Sequence, residues 1–154
     1  MDRGVLRLRG MSALACRWLL VMAALCLAVG ARAQQMTLVG DAQVSSAQPA
    51  VNAGSLSNLR VGGGYLSLVQ FNLGVLPTST TAAQITRATL RVYCNRVDTA
   101  GSVSVAAVGG AWTESGVTYA TLPGVGAAVG SAPAVAGAYV TFDVTAVVQG
   151  WVSG

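Results

Sequence analysis

Between residues 85 and 95 the chain alternates: Ala88, Leu90, Val92 and Cys94 fall in one phase, and Arg87, Thr89, Arg91, Tyr93 and Asn95 in the other. A period of two sends successive side chains to opposite faces of a strand, so one face packs inward and the other meets water. The stretch 66–73 follows the same rule, with Val69, Phe71 and Leu73 in phase against Gln70 and Asn72. In 138–144, Val140, Phe142 and Val144 alternate with Tyr139, Thr141 and Asp143. Phe71 and Phe142 are therefore expected in the core. Further short runs at 37–45, 57–62, 102–108 and 117–121 read as strands, and Gly, Pro, Asn and Ser separate them. Short strands with that punctuation predict an antiparallel all-β fold, a β-sandwich. A helical turn is expected only near the end, over Ala146–Trp151, with Asp143 or Thr145 as its N-cap. Gly62-Gly63-Gly64 reads as a hairpin turn, because no Lys-Ser or Lys-Thr and no helix follow it to make a phosphate loop.

The first 33 residues break this pattern. An apolar run from Trp18 to Val29 follows Arg3, Arg7, Arg9 and Arg17 and precedes Ala31-Arg32-Ala33. Basic, apolar and small residues in that order predict a secretory signal over 1–33, cleaved between Ala33 and Gln34. Met11 would open an equally complete signal. The run falls short of the roughly 18 apolar residues of a membrane span, and no membrane span is expected. Leu25 before Cys26 does not suit lipid attachment. The expected mature chain, 34–154, has the size of one domain, with neither linker nor internal repeat. Its expected location is secreted, extracellular.

Removing the signal changes the charge. The sequence carries a formal net charge of +4, but Arg3, Arg7, Arg9, Arg17 and Arg32 lie in the signal against Asp2 alone. What remains is Arg60, Arg87, Arg91 and Arg96 against Asp41, Asp98, Glu114 and Asp143, a balance of zero, and there is no Lys. Nucleic-acid binding needs surplus clustered cations, so no nucleic-acid partner is expected. Cys16 and Cys26 leave with the signal, and the remaining Cys94 reads as a core thiol in phase with Leu90 and Val92.

The chain has no His, which removes the commonest catalytic base and the imidazole ligands of zinc. A glycosidase needs only two facing carboxylates, but none of the four pairs with another at short spacing. Structural roles suit them better: Asp143 as a cap, Glu114 as partner of nearby backbone in a corner, Asp98 in a turn, Asp41 at a strand end. No catalytic residue, metal ligand or cofactor is assigned. Sugar binding asks for flat aromatic faces and planar polar groups. Tyr65, Tyr93, Trp112, Tyr119, Tyr139 and Trp151 supply the first; Arg87, Arg91, Gln70 and Asn72 supply the second on wet strand faces. Trp112 and Trp151 read first as packing residues at a corner of the sandwich. The face bearing Arg87, Arg91 and Tyr93, with Gln70, Asn72 and Tyr119, is the candidate ligand site; its competing reading is a solvated strand face. Two guanidinium forks suit carboxylates, hence an acidic polysaccharide.

Ala88-Thr89-Leu90-Arg91-Val92-Tyr93, Trp112-Thr113-Glu114 with Val117-Thr118-Tyr119, and Phe142-Asp143-Val144-Thr145 with Trp151 occur in a fixed order. They follow Asn52-Ala53-Gly54, Leu59-Arg60-Val61-Gly62, Phe71-Asn72-Leu73 and Leu76-Pro77. This series resembles the DNRLRE domain, grouped with the family-96 carbohydrate-binding modules, from about Asp41 onward. The resemblance implies a jelly-roll β-sandwich that binds a polysaccharide such as alginate or another uronic-acid polymer without catalysis or cofactor. It also implies closing strands beyond the segment Val144–Trp151, so the chain is expected to be a C-terminally incomplete domain from a longer parent protein with further domains. The alternative function is a structural spacer or adhesion module of a larger extracellular protein. An unrecognised polysaccharide-cleaving enzyme is the third reading.

Overall fold

β1 (Thr37–Ser45) and β2 (Tyr65–Asn72) pair antiparallel, Thr37 opposite Asn72 and Ser45 opposite Tyr65, with an irregularity between Leu38 and Gly40. β3 (Thr89–Cys94) pairs with β6 (Ala138–Asp143) in uninterrupted register, Thr89 opposite Asp143 and Cys94 opposite Ala138. Between them in sequence, β4 (Ser102–Val108) and β5 (Val125–Pro133) form a third antiparallel pair. The computed structural model describes residues 33–154, and all these elements belong to the unit Gln35–Gly154. The expected signal segment lies outside the described residues except at Ala33. The fold is all-β and antiparallel, as the alternation predicts. Ladder hydrogen bonds join the described strands only in pairs. β5 meets β6 through side chains: a Cβ at Gly130 would stand 3.6 Å from Phe142 and 3.8 Å from Val105.

The core begins at β1. Ala42 and Val44 are buried with Leu68 of β2 and with Val117, and Val108, Trp112 and Leu122 close around them. Val140 and Phe142 of β6 and Val148 of the helix are also buried. Burying a Phe removes enough apolar surface from water to contribute about 1.5–3 kcal/mol.

β2 departs from the expected phase: its one buried residue, Leu68, stands opposite Ala42 in the phase that alternates with Val69 and Phe71, whereas Leu66 opposite Val44 and Gln70 opposite Gly40 share that phase but are exposed. Val69 and Phe71 share the other face and are only half-buried, and Leu73 lies beyond the strand in a 3-10 turn, Leu73–Val75. The reason lies in β1, which is covered on both sides. Gln43 and Ser45 are 6% and 9% exposed, scarcely more than their apolar neighbours. The segment after β1 folds over that second face: Ala53 bridges to Gln43, and the Gln43 Oε1 accepts the Arg60 N–H at 3.0 Å. Asp41, expected at a strand end, consequently sits in mid-strand.

Two expected strands are absent and one unexpected strand is present. Residues 57–62 form no strand because side chains satisfy their backbone: Gln43 takes the Arg60 N–H, and the Ser67 hydroxyl donates to the Arg60 carbonyl at 2.7 Å. Gly62, Gly63 and Gly64 all have positive φ and turn the chain sharply into Tyr65, the turn expected of them, though no strand precedes it. Residues 117–121 are also turn, closed by Gly116 and Val117 N–H groups donating to the Thr113 carbonyl and by the Thr118–Thr121 hydroxyl contact. β5 reads Val-Gly-Ala-Ala-Val-Gly-Ser-Ala-Pro and is mostly exposed. Such small residues carry little strand signal.

The helix α1 runs Thr145–Ser153, longer than expected, with Val144 and neither Asp143 nor Thr145 at its N-cap. Asp143 still serves that end: its Oδ1 accepts the Thr145 N–H at 2.9 Å and the Thr145 hydroxyl at 2.6 Å. Gln149 ties the helix to the chain before β3 by donating to the Ile85 carbonyl at 2.8 Å. Trp151, expected to pack, is 53% exposed, whereas Trp112 does pack on the core. Cys94 is half-buried and its thiol donates to the Arg96 carbonyl. Among the described residues no helix is long and apolar enough to cross a membrane.

Candidate functional site

The outward face of the β3–β6 ladder collects the polar and aromatic residues of both strands. Directly opposed residues share a face, so the register sets Tyr93 beside Tyr139, Arg91 beside Thr141 and Thr89 beside Asp143. Below them Leu90 opposes the buried Phe142, and Val92 opposes the buried Val140. The apolar phase thus fixes which six side chains stand in water. Val92 is itself 42% exposed, so the inward face is less fully covered on β3 than on β6.

The exposed side chains are organised. The Arg91 guanidinium lies over the Tyr139 ring, 4.3 Å from its centroid. The Tyr93 and Tyr139 rings meet edge to face, with centroids 5.2 Å apart and planes at 65°. Both tyrosines remain more than half exposed, at 55% and 58%. A guanidinium on an aromatic face is attracted by the ring quadrupole, by about 0.5–1 kcal/mol at an exposed site. The stack biases the Arg91 side chain toward this position over the ring. One stripe therefore presents a ring-stacked cation and two aromatic surfaces.

At the other end of the stripe stands Asp143. The Thr145 hydroxyl bond, and after it the Thr145 N–H bond, hold its carboxyl below the usual carboxylate range; desolvation opposes them, and the Arg87 charge adds the smallest contribution in their favour. Asp143 is accordingly ionised at neutral pH.

The other expected ligand residues sit on other elements. Gln70 is on β2, where a Cβ at Gly40 would approach it at 3.7 Å, Glu114 at 3.8 Å and Trp112 at 3.8 Å. Asn72 caps the 3-10 turn after β2, its Oδ1 accepting the Gly74 N–H at 2.8 Å. Tyr119 stands 38% exposed in the turn 117–121. The ladder thus unites Arg91 and Tyr93, with Arg87 just before β3, and adds Tyr139. Sequence reasoning placed Tyr139 in the wet phase of its strand but left it out of the site. The missing information was the β3–β6 register, which no single-strand pattern contains.

Three of the four carboxylates among the described residues, Asp143, Glu114 and Asp98, have structural partners. Glu114 Oε2 accepts the Asp41 N–H at 3.2 Å, so its backbone partner lies in β1 and not in its own turn. Asp98 pairs with Arg96 on the surface. Among the described residues no three His, Cys, Asp or Glu side chains are grouped to hold a metal ion.

The pieces singled out in the sequence also meet in space. The Asn52 Nδ2 donates to the Glu114 carbonyl at 2.8 Å and to the Val117 carbonyl at 2.7 Å. Gly54 is packed so tightly there that a Cβ would lie 2.1 Å from the Glu114 oxygen. Asn52-Ala53-Gly54 and Trp112-Thr113-Glu114 are thus two halves of one joint.

No curated protein matches the chain. A family model, carbohydrate-binding module family 96, matches residues 32–154, which takes in every described strand and the helix. With an all-β antiparallel frame and an aromatic and cationic stripe on one ladder, the chain belongs to carbohydrate-binding module family 96.

Proposed function

We propose that the protein is a secreted, non-catalytic module that holds an acidic polysaccharide, an alginate-like or other uronic-acid polymer, on the outer face of the β3–β6 ladder. The observation that carries this reading is the Arg91 guanidinium stacked on Tyr139 beside Tyr93. A pyranose has an apolar C–H face and a hydroxyl edge. The tyrosine rings complement the face, and Arg91 offers paired donors to a ring carboxylate. The exposed ladder, with both tyrosines more than half accessible, is open to internal units of a long chain. Arg87 is a supporting cation, and Gln70, Asn72 and Tyr119 lie outside this footprint. The engagement of Asp143, Glu114 and Asp98 by Thr145, Asp41 and Arg96 supports a binding role over catalysis. The basic, apolar and small-residue order of 1–33 supports export.

Affinity electrophoresis in native gels containing alginate, pectin, xylan or cellulose tests the reading. Retardation by an acidic polymer, lost in Arg91→Ala, is expected. A folded protein retarded by none of them would instead be a spacer module.

A further inference from the structure

Away from the β3–β6 ladder, a cleft opens between the end of β1, the loop after it and Tyr65 at the start of β2. Its volume is about 240 Å³, just under the roughly 300–1,000 Å³ of sites that enclose drug-sized ligands. It admits one small ring and not a polymer strand.

The walls are fixed. The Ser46 N–H donates to the Gly64 carbonyl at 3.0 Å, and the Ala120 N–H to the Pro49 carbonyl at 2.8 Å. Ala53 bridges to Gln43, and Asn52 is tied to the Glu114 and Val117 carbonyls. A loop anchored at four points is already in one shape, so a ligand meets little ordering cost.

The lining has a definite chemistry. Gln43 is 6% exposed yet lines the cleft. Its Oε1 is engaged by the Arg60 N–H, and its Nε2 has no partner among the described residues. No fully enclosed side-chain nitrogen or oxygen among those residues lacks a partner, so this Nε2 reaches solvent, and the cleft is where its residue opens. Gln48 brings a second amide to the lining. Val51 and Leu56, 50% and 48% exposed, form an apolar patch. Tyr65 closes one wall, and the Arg60 guanidinium, which is not part of the lining, lies 5.7 Å from its ring centroid. No ionisable carboxylate or cation belongs to the lining itself.

Amides, an apolar patch and an aromatic wall without formal charge complement a single uncharged pyranose. We propose that this cleft is a second sugar site, taking one neutral pyranose such as the terminal unit of a glycan. Its ligand class rests on the carbohydrate-binding reading, but it shares no residue with the β3–β6 face.

The test is an NMR titration of the ¹⁵N-labelled protein with methyl glycosides of glucose, galactose, mannose and xylose. Concentrations up to about 50 mM load most of a site of millimolar affinity. Saturable shifts at the Gln43 side-chain amide and at the Gln48 and Tyr65 backbone amides are expected with at least one probe. They should persist in Arg91→Ala and vanish in Ser55→Trp, whose indole fills the cleft from an exposed lining position. Absence of saturable shifts with every probe, or unchanged shifts in a folded Ser55→Trp, would overturn the proposal. Glycoside binding without polymer retention would refute the ladder reading alone, and polymer retention without glycoside binding the cleft alone.

Discussion

Gly54→Ala tests the joint between Asn52-Ala53-Gly54 and the Glu114 turn, and it does so by the sign of its effect. Gly54 is not among the glycines with positive φ. By backbone conformation alone an alanine would be accepted there, and it would stabilise the protein by about 0.4–1 kcal/mol through the unfolded chain. The packing opposes this. The new Cβ would stand 2.1 Å from the Glu114 oxygen and 2.8 Å from both its carbonyl carbon and its Cγ. Two of those atoms are backbone, so no change of rotamer relieves the clash. The segments must part, which costs about 1–3 kcal/mol for overpacking. Parting also breaks the two Asn52 bonds at 2.8 and 2.7 Å, each worth about 0.5–1.5 kcal/mol. After the favourable chain term is subtracted, a net loss near ~3 kcal/mol remains. For a domain of this size that lowers Tm by roughly 10 °C. Thermal unfolding followed by far-UV circular dichroism measures it. A Tm equal to or above the parent's would show that the joint is not tight and refute the reasoning.

Four further outcomes are expected. Phe142→Ala, at a side chain 4% exposed, should cost about 3–5 kcal/mol; a denaturant midpoint unchanged from the parent would contradict the assigned core. Asn52→Ala removes donors to two carbonyls and should destabilise by about 1–3 kcal/mol, read in the same melts. Asp143 has its pKa lowered by Thr145, so its bonds to Thr145 stabilise the fold above the ordinary carboxylate range and are lost as pH falls through the lowered folded value. Thr145→Val should raise the Asp143 pKa toward the ordinary value in a carboxyl NMR titration, and an unmoved midpoint would remove Thr145 as the cause. Tyr139→Phe should keep polymer retention, because the ring remains under Arg91, whereas Tyr139→Ala should weaken it; equal retention by both would exclude the stack from binding.

The alternation in the sequence located the strands whose two faces differ in polarity. β3 and β6 lie where the period of two predicted them, because one phase of each is apolar, and β1 and β4 lie where short runs bounded by turn residues predicted them. β5 escaped, since a strand of Gly, Ala and Ser has no alternation to read. Its place is set by pairing with β4 and by the space that Gly130 leaves beside Phe142. β2 was found, but its buried residue, Leu68, is in the other phase; a loop and not solvent covers the second face of β1, so that Gln43 and Ser45 are as inaccessible as core residues. The strands expected at 57–62 and 117–121 failed for a related reason. There, Gln43, Ser67, Thr118 and Thr121 side chains take up backbone groups or one another, in place of a ladder. Of the site, Arg91 and Tyr93 were legible because they share one strand. Tyr139 became a member only through the register of β3 on β6. The joint of Asn52 and Glu114 spans 62 residues of sequence and had no local signature beyond the two pieces it connects.

The most direct test of the binding account is affinity electrophoresis of the parent protein and Arg91→Ala in gels without polymer, with alginate and with pectin, with both shown folded by far-UV circular dichroism. Arg91 is on the surface side of its ladder, so the substitution should cost no more than the stack on Tyr139, about 0.5–1 kcal/mol, and leave the protein folded at the assay temperature. The account predicts that alginate retards the parent and that Arg91→Ala migrates as it does without polymer. Equal retardation of the two proteins, or none of either by alginate and pectin alike, would contradict an acidic-glycan site on the β3–β6 face.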